Sequence, residues 1–142
     1  MNKLNTILLI DDSLAANALN AAIFDEMGVT KKVVSVNSTT EAIAFLETKV
    51  EGKYPTPDLI LLDLEMPNED GFDFLKTYSE LGVEITNDFS PIIVILSNHI
   101  SPENFTKGKD FRLIGVECIL KKPMDHEDIK DILEENFEFN FD

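Results

Sequence analysis

One aspartate stands where packing alone does not explain it. In "LILLDLEMPNEDG", Asp63 follows the apolar run Leu59 to Leu62 and precedes Leu64, so the segment reads as a buried strand ending on a carboxylate. Desolvating that group without a partner is costly, which makes a functional role the economical explanation. A second apolar run, "TILLIDD", ends on the acid pair Asp11 and Asp12. A third, "PIIVIL", ends on Ser97, and "VECILKKP" ends on Lys122 before Pro123. Brought together, three carboxylates repel one another and demand a cation or a proton. The cation would be hard and oxygen-seeking, Mg²⁺ with Mn²⁺ as a substitute, because no cysteine or histidine stands at a spacing that selects zinc. An acidic nucleophile, a divalent cation, a hydroxyl donor and an ammonium are what phosphoryl transfer requires, since positioning and electrostatic stabilisation carry most of that reaction. Asp63 would be the nucleophile that becomes an aspartyl phosphate.

These groups meet only if the elements that carry them end together. Short apolar runs alternate with amphipathic segments along the chain, the pattern of repeated β-α units around a parallel sheet. Strands are predicted near 6–11, 32–36, 58–63, 91–96 and 116–121. Leu14, Ala18, Ala22 and Met27 recur at helical spacing over 14–27, and a capping box from Ser38 to Glu41 opens a helix over 39–50. Phe72, Leu75 and Tyr78 mark a third helix over 71–81. Pro102 after Ser101 starts a fourth, and Asp125 caps a fifth that turns Ile129, Ile132 and Phe137 inward. The expected class is α/β: a flavodoxin-like doubly wound five-stranded parallel sheet of order 2-1-3-4-5 with five helices. Strands one and three are neighbours in that order, and ligands bind beyond their carboxyl ends where the order reverses. Asp11, Asp12 and Asp63 then share a crevice into which strands four and five deliver Ser97 and Lys122.

Composition narrows the function from the other side. The 142 residues, 44% hydrophobic and 27% charged, suit one globular domain over 1–142 with a core at about 4–137. Segments 51–58 and 81–91 read as loops, and neither resembles an interdomain linker. Phe137, Phe139 and Phe141 alternate with polar residues in a short acidic-aromatic tail, which suits a packed or frayed end better than an edge strand or docking peptide. A formal net charge of −15 argues against nucleic acid and anionic membrane as partners. No apolar run approaches a membrane span, and the N-terminus lacks the features of a signal peptide, so a cytoplasmic location is expected. The single cysteine, Cys118, excludes an intramolecular disulfide and reads as a buried thiol in a strand.

The acid pair in "ILLIDDS", then "LLDLEMPNEDG", "VILSN" and "LKKPM", stand in the order and at the spacing of the response-regulator receiver domain, which the chain resembles over nearly its whole length. More narrowly, "YPTPDLILLDLEMPNEDGFDFLKTY" resembles the stand-alone, chemotaxis-type receivers of bacterial two-component systems, in particular the single-domain receivers common in Bacteroidetes-type bacteria. The resemblance implies that Asp63 is the phosphoacceptor. It also implies that Mg²⁺ is held by Asp12, Asp63 and the backbone carbonyl of Glu65, with Asp11 acting through water. Ser97 would bind a phosphoryl oxygen, and Lys122 rather than Lys121 would be the site lysine, since the family's lysine directly precedes the proline. Pro67 and Gly71 would shape the loop after the phosphoacceptor. The implied donor is a sensor histidine kinase or a histidine phosphotransfer protein, and the implied output is protein-protein contact without an attached output domain.

Two positions depart from the family pattern. Asn98 follows Ser97 where a small residue usually leaves room for the phosphoryl group, so access is tighter or the amide adds a contact. Ile119 stands three residues before Lys122, where many receivers carry a switching Tyr or Phe. Glu65, Asn98 and His99 border the site as tuning residues, while His126 reads as a solvated histidine in the first turn of the last helix. Three rivals remain. A haloacid-dehalogenase-like phosphatase would need a second aspartate at the Glu65 position. A flavodoxin-like cofactor protein would need a Ser/Thr/Gly-rich loop where "DDSLAAN" stands. A pseudo-receiver interaction module would have no use for the three acids, Ser97 and Lys122 together.

Overall fold

Alternation at period two decides where each strand residue goes. The computed structural model describes residues 3–82 and 91–141. In it, β1 (Leu4–Ile10), β2 (Thr30–Val36), β3 (Leu59–Asp63), β4 (Ile92–Ser97) and β5 (Val116–Lys121) form one parallel sheet of order β2-β1-β3-β4-β5. Leu8, Ile10, Ile60, Leu62, Ile93 and Ile95 point to one face. Ile7, Leu9, Leu59, Leu61, Val94 and Leu96 point to the other. Both faces are covered, so the central strands are apolar on both sides, as parallel sheets require.

Helices α2 (Thr39–Glu47) and α3 (Gly71–Ser79) seal the first face through Ala42, Leu46, Phe72, Phe74, Leu75 and Tyr78. Helices α1 (Leu14–Met27) and α5 (His126–Phe137) seal the second through Phe24, Ile129, Ile132 and Leu133. A fifth helix, α4 (Pro102–Lys109), runs from the end of β4 toward β5. Five α-helices are thus present among the described residues, and the expected strand order holds.

Element ends differ from the sequence reading by a few residues. Strands β1 and β2 each begin two residues earlier than expected, because parallel pairing of Leu4 with Thr30 extends both. Helix α2 stops at Glu47 rather than 50. Thr48 is extended, and Glu51 and Gly52 adopt positive φ of 53° and 82° in a turn that lets Val50 bridge Lys53. Ser13, Ser38 and Ser101 each accept a backbone N–H as N-caps, while full reciprocal capping boxes form at Asp70/Asp73 and Asp125/Asp128. The loop read over 81–91 lies mostly on residues 83–90, outside the described residues.

The aromatic tail is packed. Glu138 takes the left-handed conformation that ends α5, the Phe139 N–H donates to the Leu133 carbonyl at 3.4 Å, and the Phe139 ring is buried in the second core cluster and stacked on Phe141. The described tail residues add no strand to the sheet. No helix among the described residues is long and apolar enough to cross a membrane.

Candidate functional site

The register of the sheet brings the polar strand ends together. Ile10 pairs with Leu62 and Asp63 with Leu96, so Asp11, which follows β1, and Ser97, the last residue of β4, flank the end of β3. The Lys122 backbone N–H donates to the Ser97 carbonyl at 2.9 Å and ties the end of β5 to the same edge. Asp63 is 1% exposed, and its two oxygens have different fates. Oδ1 accepts the Lys122 ammonium at 2.7 Å and the Glu65 N–H at 3.1 Å. Oδ2 is buried and has no hydrogen-bond partner among the described residues. Asp11 is also buried, and both its oxygens are engaged: Oδ1 accepts the Ser13 N–H at 2.9 Å, and Oδ2 lies 3.2 Å from Lys122 Nζ. Asp12 is exposed at the rim.

The repulsion expected among the acids is therefore partly met from within, by the ammonium placed between Asp11 and Asp63. Burial still dominates at Asp63 and raises its pKa to about 7, with the hydrogen bond from Lys122 opposing and the charge of Asp11 adding to the rise. Burial works against the Lys122 ammonium. The hydrogen bond to Asp63 and the charges of Asp11 and Asp63 outweigh it, and its pKa stays above the ordinary value. Lys121 is exposed, one residue earlier on the strand, and points away from the site.

Local devices hold the acids in place. Asn17, buried on α1, donates its side-chain amide to the carbonyls of Asp11 at 3.0 Å and Val36 at 3.2 Å, pinning the end of β1 to the end of β2. Asn17 escaped the sequence reading; its signal was an amide among alanines on a helix that follows the acid pair. After Asp63 the chain makes a two-stranded hairpin, Glu65–Met66 against Glu69–Asp70, turning through Pro67 and through Asn68, whose φ is 70°. Gly71 then starts α3 directly against the strand end. A Cβ there would lie 2.9 Å from the Asp63 carbonyl oxygen and 3.2 Å from the Leu64 Cα.

Ser97, expected to bind a phosphoryl oxygen, has its hydroxyl engaged by Glu65 and His99. It is fully buried and donates to Glu65 Oε2 at 2.5 Å, with the His99 carbonyl at 2.8 Å as an alternative acceptor, while accepting the His99 N–H at 3.0 Å. Asn98 reaches the site through its backbone N–H, which donates to Glu65 Oε1 at 2.7 Å, rather than through its side-chain amide. His99 contributes backbone groups only to this network and is exposed. His126 is exposed and 4.0 Å from Glu26, away from the acids. Cys118 has its thiol pKa pushed up to about 11, first by burial and then by neighbouring acids, as suits an inert thiol. Ile119 is partly buried against Gly108 of α4.

Carboxylate oxygens of Asp11, Asp12 and Asp63 lie within 4.8 Å of one another. An all-oxygen set with one buried, unpartnered carboxylate oxygen fits a hard divalent cation.

This strand order, with acids at the ends of β1 and β3 and a lysine at the end of β5, occurs in a chain whose residues 7–134 match the family described as the response regulator receiver domain. The chain belongs to that family. Receiver domains are signalling modules of two-component response regulators; they bind Mg²⁺ in an acidic pocket and interact with histidine kinases or phosphotransfer proteins. Among related receivers, the two-component response regulator ORR1 of Oryza sativa subsp. japonica is 26% identical over 127 residues, covering 87% of this chain and 52% of that protein. The response regulator Rcp1 of a Synechocystis strain is 27% identical over 131 residues, 90% of this chain and 83% of its own length. A crystal structure of a two-component response regulator from Cytophaga hutchinsonii shares the receiver fold at a TM-score of 0.79 and 24% identity, covering 97% of this chain and all of the other. The chain spans about half the length of the rice relative it matches.

Proposed function

We propose that this receiver accepts a phosphoryl group on Asp63 Oδ2 from a phosphohistidine of a sensor histidine kinase or a histidine phosphotransfer protein, and passes the signal on through protein-protein contacts. The unpartnered state of that buried oxygen carries the reading. Its neighbour Oδ1 is held by Lys122 and the Glu65 N–H, which orients the carboxylate and leaves one lone-pair-bearing oxygen free to attack.

The Oδ2 lone pair forms the new P–O bond as the P–N bond to the donor imidazole breaks. The electron pair returns to the imidazole nitrogen, and the product is an aspartyl phosphate. Asp12, Asp63 and the Glu65 carbonyl would hold Mg²⁺, with Asp11 behind them, and the bound ion supplies charge neutralisation for the incoming phosphoryl oxygens. Lys122 stays charged beside Asp63 and is placed to follow the phosphoryl group. Ser97 and the Asn98 N–H are the donors within reach of the remaining oxygens, once they let go of Glu65.

With Mg²⁺ and phosphoramidate, the protein should gain one base-labile phosphoryl group detectable by mass spectrometry, and Asp63→Asn should gain none. Undiminished phosphorylation of that variant would remove Asp63 from its role.

A further inference from the structure

Two donors that face the site, a hydroxyl and a backbone N–H, already hold an anion. Ser97 Oγ and Asn98 N contact the two oxygens of one carboxylate, Glu65, at 2.5 and 2.7 Å. Glu65 is thirty-two residues from Ser97 in sequence, so the contact joins the hairpin after β3 to the loop after β4. A hydroxyl has a single proton, and between the His99 carbonyl and a carboxylate the charged acceptor makes the stronger bond. The hydroxyl's own lone pair is then free to accept the His99 N–H, as observed.

We propose that the Glu65 carboxylate is a built-in stand-in for the phosphoryl group: it occupies the Ser97 hydroxyl and the Asn98 N–H in the unphosphorylated chain and must be displaced when Asp63 is phosphorylated. The inference rests on the phosphoacceptor reading above and adds to it a residue that opposes the reaction's product. Its chemistry is competition between two anions for one pair of donors. A carboxylate offers two oxygens at nearly the spacing of two phosphoryl oxygens, and both anions accept charge-assisted hydrogen bonds. The tether makes the Glu65 contact intramolecular, so it is present at high effective concentration whenever the site is empty of phosphoryl. Phosphoryl binding therefore has to exceed that contact, and the freed Glu65 side chain, on an exposed hairpin, turns to water.

Glu65→Ala removes the competitor, and Glu69→Ala removes one negative charge from the same hairpin without touching Ser97 or Asn98. Glu65→Gln keeps the shape and drops the charge. Backbone amide NMR of the full chain in Mg²⁺, with and without beryllofluoride as phosphoryl mimic, reads the outcome. Before the mimic is added, the Asn98 amide should move toward the position of an unbonded N–H in Glu65→Ala and stay in place in Glu69→Ala. Beryllofluoride should bring it back. Affinity for the mimic should be at least about tenfold higher in Glu65→Ala than in Glu69→Ala, since two competing charge-assisted hydrogen bonds are lost, with Glu65→Gln between them. An unmoved Asn98 amide in mimic-free Glu65→Ala, or equal affinities in the Glu65→Ala and Glu69→Ala variants, overturns the proposal while leaving the phosphoacceptor reading intact. A wild-type chain that binds no beryllofluoride overturns both.

Discussion

At the scale of single residues, the site works by making one carboxylate expensive to charge and then surrounding it with groups that reward charging. Burial lifts the Asp63 pKa to about 7, while Lys122 pulls the other way from 2.7 Å. The consequence for stability has a definite sign. Asp63 binds its proton more tightly in the folded state than in the unfolded one, where its value is 3.8. Its contribution to stability is therefore complete below pH 3.8 and is lost as pH rises through about 7. In a chelating buffer the melting temperature of the wild type should fall, relative to Asp63→Asn, between about pH 4.5 and 7.5. Parallel melting curves for the two proteins would show that burial does not raise this pKa. A cation and a proton compete for the same carboxylate, so Mg²⁺ affinity, measured by titration calorimetry, should weaken below about pH 7.

Elements place these residues, and the tightest constraint lies where α3 begins. The Gly71 N–H donates to the Leu64 carbonyl at 2.9 Å, and the missing side chain lets the helix start against the backbone of Asp63. Two effects oppose each other in Gly71→Ala. Reduced freedom of the unfolded chain would stabilise by at most about 1 kcal/mol. A Cβ at 2.9 Å from a backbone oxygen cannot be relieved by a side-chain rotation and should cost about 1–3 kcal/mol. The contact should win: denaturant titration should show a net loss of stability, and phosphorylation by phosphoramidate should slow because the Asp63 backbone shifts. A variant as stable and as reactive as wild type would mean that the strand end yields more readily than its packing suggests. Asn17 has a comparable positioning task on the other side, since its amide spans the carbonyls at the ends of β1 and β2.

On the scale of the whole molecule, the site sits at the meeting point of segments far apart in sequence. The hairpin after β3, the loop after β4 and the end of β5 converge on Asp63 through Glu65, Ser97 and Lys122. New negative charge on Asp63 should draw Ser97 and Lys122 toward it and displace the surface built from α4, β5 and α5. Ile119 is β-branched and already lies against Gly108, so it has few rotamers to exchange and little area to expose. The signal should therefore run through the backbone of 98–102 more than through a swinging side chain. Amide shifts on adding beryllofluoride should be concentrated in 97–123, with the hairpin at 65–70 joining as Glu65 is released. Shifts confined to α1 and β2 would exclude this output face.

By itself the sequence determined the alternation of strands and helices and the placing of acids, hydroxyl and ammonium at strand ends, which follow from hydrophobic periodicity and from the chemistry of strand ends. The strand order was the one expected of a flavodoxin-like doubly wound sheet, and Lys122 was chosen over Lys121 on the resemblance to receiver domains, whose lysine directly precedes the proline. Asp63, Asp11, Asp12, Ser97 and Lys122 were all legible as residues with no packing purpose at the ends of apolar runs. What each side chain touches was decided only by tertiary structure. The Glu65 carboxylate, read from sequence chiefly for its backbone carbonyl, reaches Ser97 and Asn98 because the hairpin folds across to the loop after β4. Asn17 gained its role from the approach of α1 to two strand ends, and Phe139 from a left-handed turn at Glu138 that folds the tail onto the core. Local pattern specifies which face a residue occupies. Contacts between segments far apart in sequence depend on how the helices and loops close over the sheet, and no short-range periodicity encodes that.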